Sequence, residues 1–303
     1  MVSSLEMSND TRAEKTETAA YAGPNAEQIR HWNEAAGEAW VAQTERIGAQ
    51  IRPFGLHALA RADLASGQRV LDVGCGGGET TIAISRVVSP TGAALGIDIS
   101  RTLLDHAREA AVAAGAANVA FEYADAQTVA LEEGTFDRLF SRFGVMFFQD
   151  PIAAFTNLRR ALRPGARLSF VCWRGIDDNP WMKVTLAAMS KHMTVQRSEP
   201  NAPGPMAFAD GERTRGILER AGFAEVALER VDEPMNVGGG LSDLDETVAF
   251  MTKIGPAASA LRQADPAVVP AAVASLREAV LPYHGPGGVV MPASCWLVTA
   301  VNR

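Results

Sequence analysis

RVLDVGCGGGETTIAISRVV, residues Arg69 to Val88, passes from an apolar strand pattern through a glycine cluster into a helical pattern. A strand, a tight turn and a helix in that order form the nucleotide-facing corner of an open α/β sheet. The turn reads Gly74-Cys75-Gly76-Gly77-Gly78-Glu79. A dinucleotide fingerprint, G-x-G-x-x-G/A, wants a small third residue where helix meets strand. Counted from Gly74 that place falls on Glu79, and counted from Gly76 it falls on Thr81. A glutamate there also brings its charge to a helix N-terminus, where a pyrophosphate would have to lie. The Gly-Lys-Ser/Thr ending of a P-loop is missing as well. The loop therefore suits a nucleoside without phosphates.

Working outward, the pattern repeats. Strands are expected over 69–74, 93–99, 119–125, 136–143 and 166–173, with helices between them. Ser100 reads as one N-cap, and Asp150 with Pro151 as another. Such alternation implies parallel βαβ units. Two later strand patterns, 225–235 and 295–301, bring the expectation to a doubly wound, mostly parallel, seven-stranded α/β sheet, a Rossmann-like fold. Residues 1–24 are polar and read as a disordered tail. Residues 25–66 read as an N-terminal helical cap in which Trp32, Ala36 and Trp40 share one side, Pro53 breaks the helix, and a short helix follows over 57–63. Residues 67–303 form the main domain. Helices expected at 178–193, 243–254 and 267–281 belong to insertions, 175–209 and 237–292, that cover its mouth.

The formal net charge of −7 argues against a general nucleic-acid binder, which needs a basic face. Cys75, Cys172 and Cys295 are scattered and form no CxxC pair, so no zinc ribbon or redox pair is expected. His31, His57, His106, His192 and His284 have no metal or triad spacing. No signal-peptide pattern or membrane-length apolar run occurs, and the expectation is a cytoplasmic protein acting on a small molecule.

Read as an acidic residue, an apolar residue and G-x-G-x-G, the stretch Asp72-Val73-Gly74-Cys75-Gly76-Gly77-Gly78 resembles the class I S-adenosylmethionine-dependent methyltransferases, in their small-molecule branch. The resemblance covers roughly residues 68–173. It implies S-adenosyl-L-methionine as cofactor. It also implies that Gly74, Cys75, Gly76 and Gly78 bring main chain against the methionyl and ribose portions, with Asp72 near the ammonium group. Asp98 would take the ribose hydroxyls beside Ile99. Asp125 and Ala126 would meet the adenine, and Ser141 and Phe143 would lie near the transferable methyl. Each carboxylate also has a plain local reading: Asp72 as a structural or capping group, Asp98 and Asp125 as turn residues.

Methyl transfer is an in-line displacement at carbon to which a protein contributes chiefly alignment and dryness, together worth about 7–11 kcal/mol when attack geometry is preset. His31 is the candidate base, because it adjoins Trp32 in a segment that family members fold over the cofactor. Arg142 either orients an anionic acceptor or pairs with a neighbouring carboxylate. Trp32 and Trp40 either wall the pocket or pack the cap on the domain. The ubiquinone/menaquinone C-methyltransferases carry an Arg-Asn pair after Phe-Gly-aliphatic at the fourth strand. Here Met146-Phe147 follow Phe143-Gly144-Val145, which favours a hydrophobic or aromatic acceptor of another kind. Two alternatives share the architecture. A nicotinamide-dependent oxidoreductase is opposed by Glu79 and by the lack of Tyr-x-x-x-Lys, since Tyr123 is followed by Gln127. A non-catalytic S-adenosylmethionine-binding protein would retain the same pocket.

Overall fold

The computed structural model describes residues 23–303 apart from 197, 198 and 200. The expected tail therefore lies outside the described residues, save Gly23 and Pro24. From the glycine stretch onward, strands and helices alternate: β1 (Arg69–Val73), α4 (Glu79–Val88), β2 (Ala93–Asp98), α5 (Arg101–Ala113), β3 (Val119–Tyr123), β4 (Phe136–Arg142), α6 (Pro151–Ala161) and β5 (Leu162–Trp173). Local chemistry sets these boundaries. Ser100 Oγ accepts from Leu103 N at the start of α5, and Asp150 Oδ1 accepts from Ile152 N and Ala153 N at the start of α6. Pro151 stands at the first helical position of α6, where no N–H is needed.

The sheet runs β3-β2-β1-β4-β5-β8-β6. β1 to β5 pair in parallel, whereas β8 (Gly288–Asn302) lies antiparallel between β5 and β6 (Phe223–Asn236). A short β7 (His284–Gly285) pairs only with the start of β8. This is the expected doubly wound, mostly parallel sheet of seven strands, with one small hairpin strand added. Chain order reverses between β1 and β4, so a crevice opens at their carboxyl ends. Strand β1 is buried from Val70 to Val73, as a central parallel strand covered on both faces must be.

The N-terminal segment departs from expectation. It forms three helices, α1 (Ala26–Asn33), α2 (Ala35–Ala42) and α3 (Thr44–Arg61), and Pro53 lies inside the last. The breaks fall instead at Gln43 and at Glu34, which is extended at φ −102° and ψ −152°. Tertiary bonds hold the break at Glu34: Asn33 Nδ2 donates to Ile99 O, Arg101 N donates to Asn33 Oδ1, and Ser100 Oγ donates to Trp32 O. Pro53 costs the carbonyl of Ala49 its helical partner, yet Ala49 is exposed and water can serve it. Burial of Phe54 and Ala58 against the sheet carries α3 past the proline.

Beyond β5 come α7 (Pro180–Met189) and α8 (Gly211–Arg220). After β6 come α9 (Leu244–Met251), α10 (Pro256–Leu261) and α11 (Val269–Val280). α7 starts two residues later than the 178 expected, because a residue before proline is steered away from the helical region and Asn179 precedes Pro180; it also ends at Met189, four residues short of 193. It packs on α10 and α11 beside the crevice. Among the described residues no helix is long and apolar enough to cross a membrane.

Candidate active site

The crevice is an open cleft of about 2260 Å³ between the carboxyl ends of β1–β5 and the surrounding helices. That exceeds the roughly 300–1,000 Å³ of a site for one small molecule, so two ligands have room side by side. Of the residues singled out above, His31, Gly74, Gly76, Asp98, Ile99, Asp125, Ala126, Arg142 and Phe143 line it. Asp72 and Ser141 do not; both are fully buried. Cys75 borders a smaller cavity of about 80 Å³ between the glycine loop and α3.

Three loop glycines have left-handed backbone, with φ of +66° at Gly74, +52° at Gly76 and +81° at Gly78. Their surroundings differ. A Cβ on Gly74 would lie 2.6 Å from Gly144 Cα, and one on Gly78 would lie 2.8 Å from both Ala107 Cβ and Phe121 Cζ. A Cβ on Gly76 would meet nothing within 4 Å. Gly74 and Gly78 are thus required by packing, and Gly76 presents bare main chain to the cleft. The Cys75 side chain turns inward toward Gly96, and burial pushes its thiol well above its ordinary pKa.

Asp98 ties the loop to the end of β2. Its Oδ2 accepts from Gly76 N at 2.8 Å and its Oδ1 from Ser100 N at 2.9 Å. Burial raises its pKa, and the N–H groups of Gly76, Ser100 and Ile99 oppose that shift. Each oxygen keeps a further acceptor site for a hydroxyl. Asp125 Oδ1 accepts from Gln127 N and, at 2.6 Å, from Asn25 Nδ2. Asn25 Oδ1 in turn accepts from Gln149 N. Sequence reasoning missed Asn25, which precedes α1 and reads as an N-cap; its side chain makes no cap bond and instead joins the ends of β3 and β4.

Behind the loop, Asp72 Oδ2 accepts from the hydroxyls of Thr80 and Thr81, both at 2.7 Å. Its Oδ1 is buried without a partner among the described residues, and burial lifts its pKa to about 6. Asp72 thus fastens α4 to β1, its local reading. Ser141 likewise donates to Val73 O at 2.7 Å and fastens β4 to β1. Arg142 Nη2 lies 2.9 Å from Glu79 Oε2, and Arg52 Nε lies 2.6 Å from Glu79 Oε1. Burial works to raise the Glu79 pKa; the two guanidinium groups outweigh it and hold the carboxyl below its ordinary value. Of the two readings for Arg142, the geometry has the carboxylate pair.

Phe143 completes the end of β4 in the left-handed region, at φ +61°, unusual for a bulky residue. Its ring stacks on Trp173 at 4.2 Å with planes 19° apart. Trp181 follows Trp173 at 5.2 Å, tilted by 60°. Across the cleft Trp32 meets both Trp40 and Phe147 edge-on at 5.2 Å. Met146, Met182 and Met206 fill between. Trp173 and Trp181 were not singled out in the sequence. His31 lies at the mouth, edge-on to Trp32; partial burial of its ring, and then Arg262, lower its pKa. Among the described residues no cluster of His, Cys, Asp and Glu is arranged to hold a metal.

Residues 70–165 match a family described as a methyltransferase domain. A demethylmenaquinone methyltransferase of Staphylococcus aureus is 37% identical over 181 residues, covering 54% of this chain and 70% of that protein. An O-methyltransferase of Pyrenophora dematioidea is 39% identical over 131 residues, 42% of this chain. The match spans about half of that relative, 47% of its length. Among solved structures, the YcgJ protein of Bacillus subtilis shares the fold with a TM-score of 0.52 and 18% identity, over 82% of this chain and 99% of that one.

Proposed function

The chain belongs to the class I S-adenosylmethionine-dependent methyltransferases, and on that premise we propose that it methylates a small hydrophobic or aromatic acceptor. One observation carries the proposal. The cleft has an end of bare main chain and carboxylate, Gly76 with Asp98, and an end of stacked aromatic rings, Phe143 with Trp173. The first end fits the cofactor: Gly76 leaves open the space that any side chain would fill, and Arg142, the guanidinium beside the loop, is paired with Glu79. Bound there, S-adenosylmethionine supplies an electrophilic methyl carbon on a sulfonium centre.

The protein's own groups would bind, orient and exclude water. Gly76 offers main chain, Asp98 accepts from ribose hydroxyls beside Ile99, and Asp125 and Ala126 border the adenine. Asn25 holds the Asp125 carboxylate in one orientation. Arg142 keeps Glu79 turned toward α3 and acts as a positioning group. Phe143 and Trp173 form a dry face against which an apolar acceptor aligns. His31, kept neutral near pH 7 by its lowered pKa, would take a proton from an oxygen or nitrogen acceptor at the mouth. The segments 175–209 and 237–292 would supply most of the acceptor's surroundings.

Calorimetry tests the cofactor half. S-adenosylhomocysteine should bind while NADH and NADPH do not, and the reverse result would overturn the reading. A screen with methyl-labelled cofactor tests the acceptor half: label should pass to phenolic or other aromatic acceptors before charged aliphatic ones.

A further inference from the structure

Asn179 stands at the N-cap of α7 and is fully buried, yet its side chain does not cap the helix. An asparagine there normally accepts from an N–H of the first turn. This one turns the other way. Its Nδ2 lies within bonding distance of Arg174 O (3.0 Å), Gly175 O (3.1 Å) and Ser294 O (3.0 Å). Its Oδ1 accepts from Ser294 N at 2.9 Å and from the indole Nε1 of Trp181 at 3.0 Å. One side chain therefore joins the end of β5, strand β8 and a ring on the cleft wall.

Trp181 is the outermost ring of the series Phe143, Trp173, Trp181. The inner pair is nearly coplanar in stacking and almost wholly buried, whereas Trp181 is half-buried and tilted. Packing against Trp173 limits how far the ring can swing, and its N–H bond to Asn179 selects the orientation within that range. The donor is a single directional group, so the ring's tilt follows from where Oδ1 is held.

We infer that Asn179 is the positioning residue of an aromatic acceptor subsite, and that Trp181, backed by the buried ring of Trp173, forms the face on which a fused-ring acceptor docks. The inference rests on the methyltransferase reading for its meaning, but not for its test. Met182 follows Trp181 on α7 and Met146 also lines the cleft, so adaptable sulfur side chains border the aromatic face. A planar, uncharged ring system of naphthalene size or larger suits such walls.

The experiment uses the full chain with S-adenosylhomocysteine present and 1-naphthol as the probe, followed by tryptophan fluorescence and calorimetry. Asn179→Ala and Trp181→Ala should each weaken naphthol binding roughly tenfold, while S-adenosylhomocysteine affinity stays within about twofold. The double variant should be little worse than either single one, because both remove the same oriented ring. Trp181→Phe keeps an aromatic face but removes the N–H, and should weaken the probe by about threefold. Losses that multiply in the double variant, or naphthol binding unaltered by Trp181→Phe, would overturn the inference even if Asn179→Ala does not fold. Loss of S-adenosylhomocysteine binding by the unaltered protein would instead strike the functional reading and leave this one to be judged on naphthol alone.

Discussion

The two ends of the cleft are made of different materials. At the loop end, the surface is main chain and short carboxylates from consecutive stretches: Gly74 and Gly76, then Asp98, then Asp125. At the other end it is large side chains from remote segments, Phe143, Trp173, Trp181 and Met206, held by contacts among themselves. Main chain can be copied between proteins with only its glycines kept. Side-chain walls change with every substitution. A cofactor site and a divergent acceptor site can therefore coexist on one sheet.

The sharpest way to break this comparison lies inside the loop. Gly74→Ala puts a methyl group 2.6 Å from Gly144 Cα, backbone against backbone, on top of its left-handed φ. It should cost roughly 3 kcal/mol or more of stability by urea denaturation. Gly76→Ala meets no neighbour and should cost only about 1 kcal/mol, yet weaken S-adenosylhomocysteine binding about tenfold. Equal losses of stability from both would erase the distinction between packing glycines and contact glycines.

Asp72 probes the layer beneath. Its folded pKa of about 6 is above the ordinary value of 3.8, so its contribution to stability is complete below pH 3.8 and is lost as the pH rises through 6. The stability of the protein relative to Asp72→Asn should therefore fall by roughly 2 kcal/mol between pH 4 and pH 7. A flat difference would mean that Asp72 is not desolvated, and that the loop end is wetter than its geometry implies.

Asp98→Ala should weaken S-adenosylhomocysteine binding by about 1–3 kcal/mol in calorimetry. An unchanged affinity would take Asp98 out of the site and leave the loop end with main chain alone. The smallest effect is expected from Arg52→Ala. Its pair with Glu79 is half exposed, Arg142 still holds the other carboxylate oxygen, and the melting stability should change by less than about 1 kcal/mol.

Much of the loop end was legible in the chain. Gly74, Gly76, Asp98 and Asp125 were implied by the family resemblance and do line one cleft. Asp72 and Ser141 were implied by the same resemblance and face inward, because a residue at a strand end points to alternate faces and a shift of one position decides which. The helix break was misplaced at Pro53, whose effect is local, when Asn33 and Ser100 set one at Glu34 from the end of β2. Asn25 and Asn179 show the limit most clearly. Both occupy N-cap positions where asparagine is ordinary, both are buried, and neither caps its helix.

By itself the sequence determined the order of strands and helices, the parallel sheet and the phosphate-free character of the glycine loop. Those depend on φ/ψ preferences and side-chain periodicity among neighbours a few residues apart. Only the tertiary structure decided which carboxylates face the cleft, what the two asparagines hold and how the aromatic wall is tilted. Asn25 meets Asp125 across 100 residues and Asn179 meets Ser294 across 115. Contacts at that separation exist only after the sheet has assembled, and no local pattern encodes them.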